Sequence, residues 1–175
     1  MSLLYQENII KTIEQLSSPY DLNDNLKYLT KSILRYFKLS KEINYTYIIG
    51  LLENQDNQIV FYNLDLNLDT TFHIKLCPSA IIYNISNNIC YILALTTSPK
   101  YRNNGYATKL LNLFIADIQK LHKNIKIILS ATDDSFSFYE KNNFYLLPDD
   151  LIQHPILAKH EKYDEQKLYY IFERD

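Results

Sequence analysis

Hydrophobic residues near the N-terminus recur every three or four positions, a spacing typical of amphipathic helices. The residues with the clearest spacing are Leu22, Leu26, Leu29, Ile33 and Phe37. A weaker pattern of the same period predicts an earlier helix over about residues 2 to 17, and Pro19 separates the two. Asp21 and Asn23 are both suitable N-cap residues for the second helix. We therefore expect two N-terminal helices.

The middle of the chain has a different pattern, with segments rich in β-branched and aromatic residues that predict strands. These segments are Tyr45–Leu52, Gln58–Leu64, Ala80–Ile85 and Ile89–Thr97. Short polar runs at residues 54–57 and 86–88 suit turns that join them as two hairpins. Residues 65–79 fit either a strand broken by Pro78 or an irregular loop.

Helical spacing returns between Asn104 and His122. Its hydrophobic residues are Leu110, Leu111, Phe114, Ile115, Ile118 and Leu121. The short apolar run Ile125–Leu129 is typical of a buried strand. A short helix is predicted over Ser135–Asn142 and a terminal strand over Leu168–Phe172. This order of elements predicts a mixed α/β (α+β) fold with one sheet.

Length and composition limit the classes of protein to which this chain could belong. The 175 residues suit one domain, and the 47% apolar and 22% charged residues are ordinary for a globular protein. The formal net charge is −2, so a broad positive surface is not expected and nucleic acid is a poor candidate partner.

The two cysteines, Cys77 and Cys90, have no metal-ligand spacing and cannot build a disulfide framework, so we expect a reducing, cytoplasmic location. The N-terminus does not resemble a secretory signal. Apolar runs such as Cys90–Leu95 are far shorter than the roughly 20 residues that cross a bilayer, so no membrane helix is expected. His154 and His160 lie six positions apart, not on one helical face, and no metal site is predicted.

The segment from Leu95 to Ala107 joins a predicted strand to the predicted long helix. The first amides of a helix lack backbone partners and carry partial positive charge, so they can bind an anion. Gly105 lets a ligand approach the backbone closely, and Arg102 adds a full charge. These features favour a phosphate or pyrophosphate site. The alternative is that Gly105 only opens a turn.

Two motifs in this half of the chain resemble those of one family. Arg102-x-x-Gly105-x-Ala107 is similar to the R/Q-x-x-G-x-G/A acetyl-CoA signature of the Gcn5-related N-acetyltransferase (GNAT) superfamily, and the longer pattern matches from Pro99 through Leu111. Residues 138–144, Phe-Tyr-Glu-Lys-Asn-Asn-Phe, resemble the family's F-Y-E-K-x-G-F. Two departures are Asn143 in place of glycine and Thr132 in place of a frequent asparagine.

The resemblance implies one GNAT-like domain over residues 1–175, with a helical part at 1–40 and an acetyl-CoA-binding core at 89–147. It implies a mostly antiparallel, twisted sheet flanked by helices. The strands near Ile89–Thr97 and Ile125–Ser130 are expected to splay apart, with the pantetheine arm between them.

The resemblance also implies a set of site residues. Those expected to hold the thioester are Leu95, Thr96 and Thr97. Those expected to cradle the pyrophosphate are Arg102, Asn103, Asn104, Gly105, Tyr106, Ala107 and Thr108. Those expected to complete the cofactor site are Thr132, Ser135 and Tyr139.

Tyr139 is the expected proton donor to the CoA thiolate, because a phenol with a pKa near 10 stays protonated at neutral pH. The alternative is that it only packs in the core, as Phe138 and Phe144 are expected to do. The general base stays unassigned: water could serve, and the candidates by chemical type are Glu42, Glu53, Asp133, Asp134 and Glu140.

The resulting hypothesis is an N-acetyltransferase that moves acetyl from acetyl-CoA to a primary amine in a ternary complex. The acceptor could be a protein N-terminus, a lysine, a polyamine or another small amine. The first alternative is a weakly active or inactive CoA-binding module that acts in an assembly. Transfer of a longer acyl group and formation of a homodimer also stay open.

Overall fold

A computed structural model of the protein describes residues 3–8, 50–51, 54, 56–64, 74–160 and 168–175. The strands are β1 (Leu3–Asn8), β2 (Asn57–Asn63), β3 (Ser79–Ser86), β4 (Ile89–Thr97), β5 (Lys126–Ala131), β6 (Tyr145–Leu147) and β7 (Tyr170–Arg174). The helices are α1 (Tyr106–Leu121), α2 (Asp133–Lys141) and α3 (Pro155–His160). Short 3₁₀ turns lie at Ile74–Leu76, Pro99–Tyr101 and Leu151–Gln153.

The strands form one seven-stranded sheet in the order β1-β2-β3-β4-β5-β7-β6. Every neighbouring pair is antiparallel except β4 and β5, which run parallel. The parallel pair needs a crossover, and α1 supplies it. The prediction of a mixed, mostly antiparallel sheet flanked by helices is confirmed.

Local turn chemistry explains the central hairpin. Asn87 and Asn88, between β3 and β4, have φ of 51° and 60°, and asparagine tolerates this left-handed conformation better than most residues. The predicted turn before β2 is also present, since the Asn57 amide donates to the Asn54 carbonyl at 3.1 Å.

The strand predicted over Tyr45–Leu52 is wrong at its end, where residues 50 and 51 are helical.

The N-terminal prediction needs a correction. The helix expected over residues 2–17 is wrong at its start, because Leu3–Asn8 form β1 and pair with β2 from Leu3↔Asn63 to Asn8↔Gln58. Pairing with the edge of β2 satisfies backbone groups on both strands, and this outweighs a weak helical spacing. The second predicted helix, residues 22–37, lies outside the described residues.

Each face of the sheet carries its own hydrophobic cluster. On one face, α1 and α2 cover the strands, with buried residues that include Leu110, Phe114 and Ile118. On the other face, Leu151 and the α3 residue Leu157 belong to a second buried cluster. The elements β6 and α3 have no counterpart in the sequence prediction, since segments of three and six residues are too short for a period to be read.

Candidate active site

The two central strands are paired over only part of their length. β4 and β5 pair from Ile89↔Lys126 to Ile92↔Leu129, and the register stops there. Beyond this point β4 pairs with β3, while β5 continues alongside β7 to Ala131↔Tyr170. The strands therefore diverge towards their carboxyl ends, as the resemblance implied.

A β-bulge lies where the strands separate. In the β3–β4 ladder, Tyr83 pairs with Ile92 and Ile82 pairs with Ala94, so Leu93 is the extra residue. A bulge bends its strand and increases its local twist, and this bulge lies directly after the last residue of β4 that pairs with β5. The expected thioester residues Leu95, Thr96 and Thr97 lie beyond it and are half-buried.

The start of α1 is open to a ligand. Gly105 is the N-cap residue in the left-handed conformation, with φ of 74°, and no side chain caps the helix. The first helical bond runs from the Lys109 amide to the Gly105 carbonyl at 3.0 Å, so the amides of residues 106–108 have no helical acceptor. The first turn has no acidic residue that would repel an anion.

The loop before α1 is braced by its own side chains. Arg102 Nε donates to the Thr97 carbonyl at 3.3 Å. Asn104 Nδ2 donates to the carbonyls of Tyr101 and Arg102 at 3.2 and 2.9 Å. Asn103 has φ of 62°, so the loop contains a second left-handed residue close to Gly105. These contacts hold the loop in a curve around the helix start.

A cleft of about 320 Å³ lies at this helix start. The predicted site residues that line it are Thr97, Arg102, Asn103, Gly105, Tyr106, Ala107 and Thr108. Tyr101 and Phe138 also line it. Phe138, expected in the core, therefore packs against the core and faces the cleft as well.

The remaining predicted site residues lie on or beside α2, or outside the cleft wall. Thr132 is the N-cap of α2, and its carbonyl accepts hydrogen bonds from the Ser135 amide and hydroxyl at 3.0 and 3.2 Å. Tyr139 is 8% exposed. Among the described residues, Leu95, Thr96, Asn104, Thr132, Ser135 and Tyr139 are not part of the cleft wall.

The loop after α2 keeps the geometry that glycine usually provides. Asn143 has φ of 63°, so asparagine adopts the left-handed conformation expected of it here. The following Phe144 is 4% exposed and packs in the core, as predicted.

The described acidic candidates give no clear general base. Asp133 accepts a hydrogen bond from the Tyr170 hydroxyl, and this bond is the main reason that the pKa of Tyr170 is raised. Asp134 and Glu140 are exposed on α2. Glu42 and Glu53 lie outside the described residues.

Both cysteines are buried. Burial raises the pKa of Cys77 to about 12 and raises the pKa of Cys90 as well, so both stay thiols. Within the described part of the chain, no three His, Cys, Asp or Glu side chains lie close enough together to hold a metal ion. None of the helices described there has the length and apolar character needed to cross a bilayer.

Solved structures share this fold. A GNAT-family protein from Desulfovibrio desulfuricans matches 100% of this chain and 99% of its own, with a TM-score of 0.64 and 8% identity. An acyl-CoA N-acyltransferase from Pseudomonas aeruginosa matches 100% of both chains, with a TM-score of 0.60 and 10% identity. The PaiA N-acetyltransferase from Thermoplasma acidophilum, in complex with coenzyme A, matches 98% of both chains, with a TM-score of 0.53 and 18% identity.

At the level of sequence, no curated protein matches the chain. A family model does match: that of the acetyltransferase (GNAT) family covers residues 32–144. This range includes the bulged strand, the open helix start and α2, and it is more than half of the chain. The chain belongs to the GNAT acetyltransferase family.

Proposed function

We propose that the protein is an N-acetyltransferase that moves acetyl from acetyl-CoA to a primary amine. One observation carries this proposal: the gap between β4 and β5 lies next to the uncapped start of α1. A gap alone would fit many ligands. A gap that adjoins an anion site fits a long thioester with a diphosphate in its middle. We extend the proposal to the whole chain as one domain in the cytoplasm.

The diphosphate would be held mainly by backbone groups. The amides of residues 106–108 point out of the first turn of α1 without helical acceptors. No atom lies within 4 Å of where a Cβ on Gly105 would be, so the glycine leaves open space beside these amides. Arg102 is exposed at the rim of the cleft and adds a positive charge.

The thioester arm would lie along β4. Residues 94–97 pair with β3 on one side only, so the backbone groups on their other side face the gap, apart from the Thr97 carbonyl, which accepts from Arg102. Such groups can hydrogen-bond the arm as a neighbouring strand would, and a fixed amide there would stabilise the oxyanion that forms during acyl transfer. Holding the thioester beside the amine lowers the entropic cost of the reaction.

Acetyl-CoA would supply an activated acetyl group whose thiolate leaves after attack by the amine. Tyr139 is the proposed acid that protonates this thiolate. Its ring lies 5.1 Å from that of Phe138, which lines the cleft, so the acid would be one ring away from the cleft wall. The acceptor is proposed only as a primary amine.

A second candidate function is a CoA-binding module with little or no activity. The observation in its favour is that Tyr139 is 8% exposed and packs against three aromatic rings, as a purely structural residue would. The two functions share cofactor binding and differ in turnover.

Binding is tested by thermal denaturation with acetyl-CoA. At about 100 times the dissociation constant, the ligand should add about 2.7 kcal/mol to the free energy of unfolding. Gly105→Val should lose most of this gain, because a side chain would fill the space beside the amides. The left-handed φ would also cost the variant about 1–2 kcal/mol of its own stability. Ala116→Val, on the exposed side of the same helix, is the control and should keep the gain.

Turnover is tested by release of free CoA in the presence of peptides, lysine, polyamines and aminoglycosides. Release with one or more amines supports the transferase. A stabilising shift without release from any amine supports the module. No shift with acetyl-CoA contradicts both candidates.

A further inference from the structure

A histidine–aspartate pair lies on the face of β4 that α1 does not cover. His154 directly precedes α3, which packs across β4, and its ring lies 6.3 Å from that of Tyr91 at an interplanar angle of 65°. His154 Nε2 lies 2.8 Å from Asp149 Oδ2. The pair therefore has a fixed position relative to the central strand.

The backbone around the pair is held in place. Asp150 and Gln153 form a capping box, in which the Asp150 amide donates to Gln153 Oε1 at 2.6 Å. The His154 amide donates to the Leu151 carbonyl at 3.0 Å. The histidine side chain is only 10% exposed, so few other ring positions are available to it.

The contact with Asp149 determines which ring nitrogen can accept a proton. An ionised carboxylate only accepts hydrogen bonds, so the proton of a neutral ring lies on Nε2 and the lone pair lies on Nδ1. Among the described residues, no partner is found for Nδ1 and no side-chain nitrogen is buried without one. An Nδ1 without a partner is thus accessible to water and free to act as a base.

Tyr91, whose ring His154 contacts, lies close to the point where the sheet opens. Tyr91 pairs with Ile128, Ile92 is the last residue of β4 paired to β5, and Leu93 is the bulge. Tyr91 and Leu93 belong to the same buried cluster on this face. Two residues span about 7 Å along a strand, so the backbone of Tyr91 lies about 7 Å from the bulge at which the gap begins.

The other ionisable groups around His154 are poor bases. Burial raises the pKa of Tyr91, the group that faces the ring from β4, so this phenol stays neutral. Asp149 holds the ring, Asp150 belongs to the capping box, and Lys159 on α3 is exposed. Histidine is the side chain that ordinarily exchanges protons near neutral pH.

We propose that His154, oriented by Asp149, is the general base of the reaction and takes the proton of the acceptor amine through water. This rests on the proposed function. The amine nitrogen forms a bond to the acetyl carbon and the carbon–sulfur bond breaks. The nitrogen's proton passes through the water to Nδ1, and the thiolate takes a proton from Tyr139. His154 then releases its proton to solvent and Tyr139 regains one from solvent, so both groups are restored. Asp149 is a positioning residue.

The test compares His154→Gln with wild type and with His122→Gln, a histidine at the far end of α1. Glutamine can still donate to Asp149 but cannot take a proton. With an amine that wild type accepts, His154→Gln should lower kcat by about 100-fold and leave the KM for acetyl-CoA unchanged. Its kcat should keep rising with pH until the amine itself is deprotonated. His122→Gln should behave as wild type.

Asp149→Asn is the second variant, and it tests the role of His154 through its partner if His154→Gln does not fold. Asparagine can donate as well as accept, so the ring tautomer is no longer fixed, and kcat should fall by less than in His154→Gln. Wild-type kcat and an unchanged pH profile in either folded variant would overturn this inference alone. Absence of turnover by wild type with every amine would overturn the proposed function with it.

Discussion

At the scale of single residues, Tyr139 has a structural role beside the catalytic role proposed for it. Its ring meets those of Phe138, Phe144 and Phe172 at centroid distances of 5.1, 5.6 and 6.0 Å, so it contributes to the core. Removing only its hydroxyl leaves this packing in place. A hydroxyl deletion therefore separates the chemical role from the structural one.

We expect Tyr139→Phe to lower kcat for acetyl transfer by about 100-fold, because the thiolate would lose its proton donor. The dissociation constant for acetyl-CoA should change little. Tyr83→Phe is the matched control: Tyr83 is fully buried, its hydroxyl donates to Gln58 at 2.5 Å, and it lies outside the cleft wall. Steady-state kinetics and calorimetry measure both quantities. An unchanged kcat in Tyr139→Phe excludes Tyr139 as the acid.

The sequence indicates the conformation of single residues where their neighbours in the chain determine it. In the loop from Arg102 to Thr108, the glycine, the charge and the helix start favour an anion site, and the family resemblance is what selects this prediction over a simple turn. The exposure of Phe138 to this loop could not be predicted, since it depends on how α2 lies against α1. The contact of His154 with Tyr91 likewise depends on the packing of α3 on β4.

At the scale of elements, β4 has two halves with different partners. Residues 89–92 are paired on both sides, whereas residues 94–97 pair with β3 alone. The difference predicts a local response to ligand in hydrogen–deuterium exchange. Acetyl-CoA should slow exchange in a peptide that covers residues 93–97, because the arm would hydrogen-bond to that half. A peptide that covers residues 89–92 serves as the internal control, and an equal effect in both would contradict arm binding along β4.

The spacing of hydrophobic residues predicts long helices and strands. It does not predict short elements or the pairing of strands that lie far apart in the sequence. α1 and the β3–β4 hairpin are confirmed because each is determined by local spacing and turn residues. β1 was missed because its partner, β2, lies more than fifty positions away, as in the pair Leu3↔Asn63. The divergence of β4 and β5 came from the family resemblance, since no local pattern marks where a strand loses its neighbour.

At the scale of the whole molecule, one network ties three strands together. Glu173 on β7 is buried and lies 3.0 Å from the Lys126 ammonium on β5, and its carboxylate accepts a hydrogen bond from the Tyr145 hydroxyl on β6. This bond is the main reason that the pKa of Tyr145 is raised to about 12 from an ordinary value of 10.0.

The raised pKa predicts how stability depends on pH. Below pH 10 the phenol is protonated in both states and its hydrogen bond stabilises the fold. Between pH 10 and about 12 it ionises only in the unfolded chain, so its stabilising effect is lost as the pH rises. Denaturant titrations should show a shallower fall across this range in Tyr145→Phe than in wild type. Below pH 10, the free energy of unfolding should change with pH equally in the two proteins. If it also changes equally between pH 10 and 12, the hydrogen bond from Tyr145 to Glu173 is not the cause of the pH dependence.

The partial pairing of β4 and β5 also has a mechanical consequence. Within the described residues, four pairs of the β4–β5 ladder join β1–β4 to the unit made of β5, β7 and β6, and the carboxyl-terminal half of β4 has no pair on β5. A ligand that hydrogen-bonds to both β4 and β5 in the gap would take the place of an eighth strand and connect the two parts of the sheet. The donor substrate would then be a structural component of the sheet while it is bound, and release of CoA would leave the two strands paired at residues 89–92 of β4 alone.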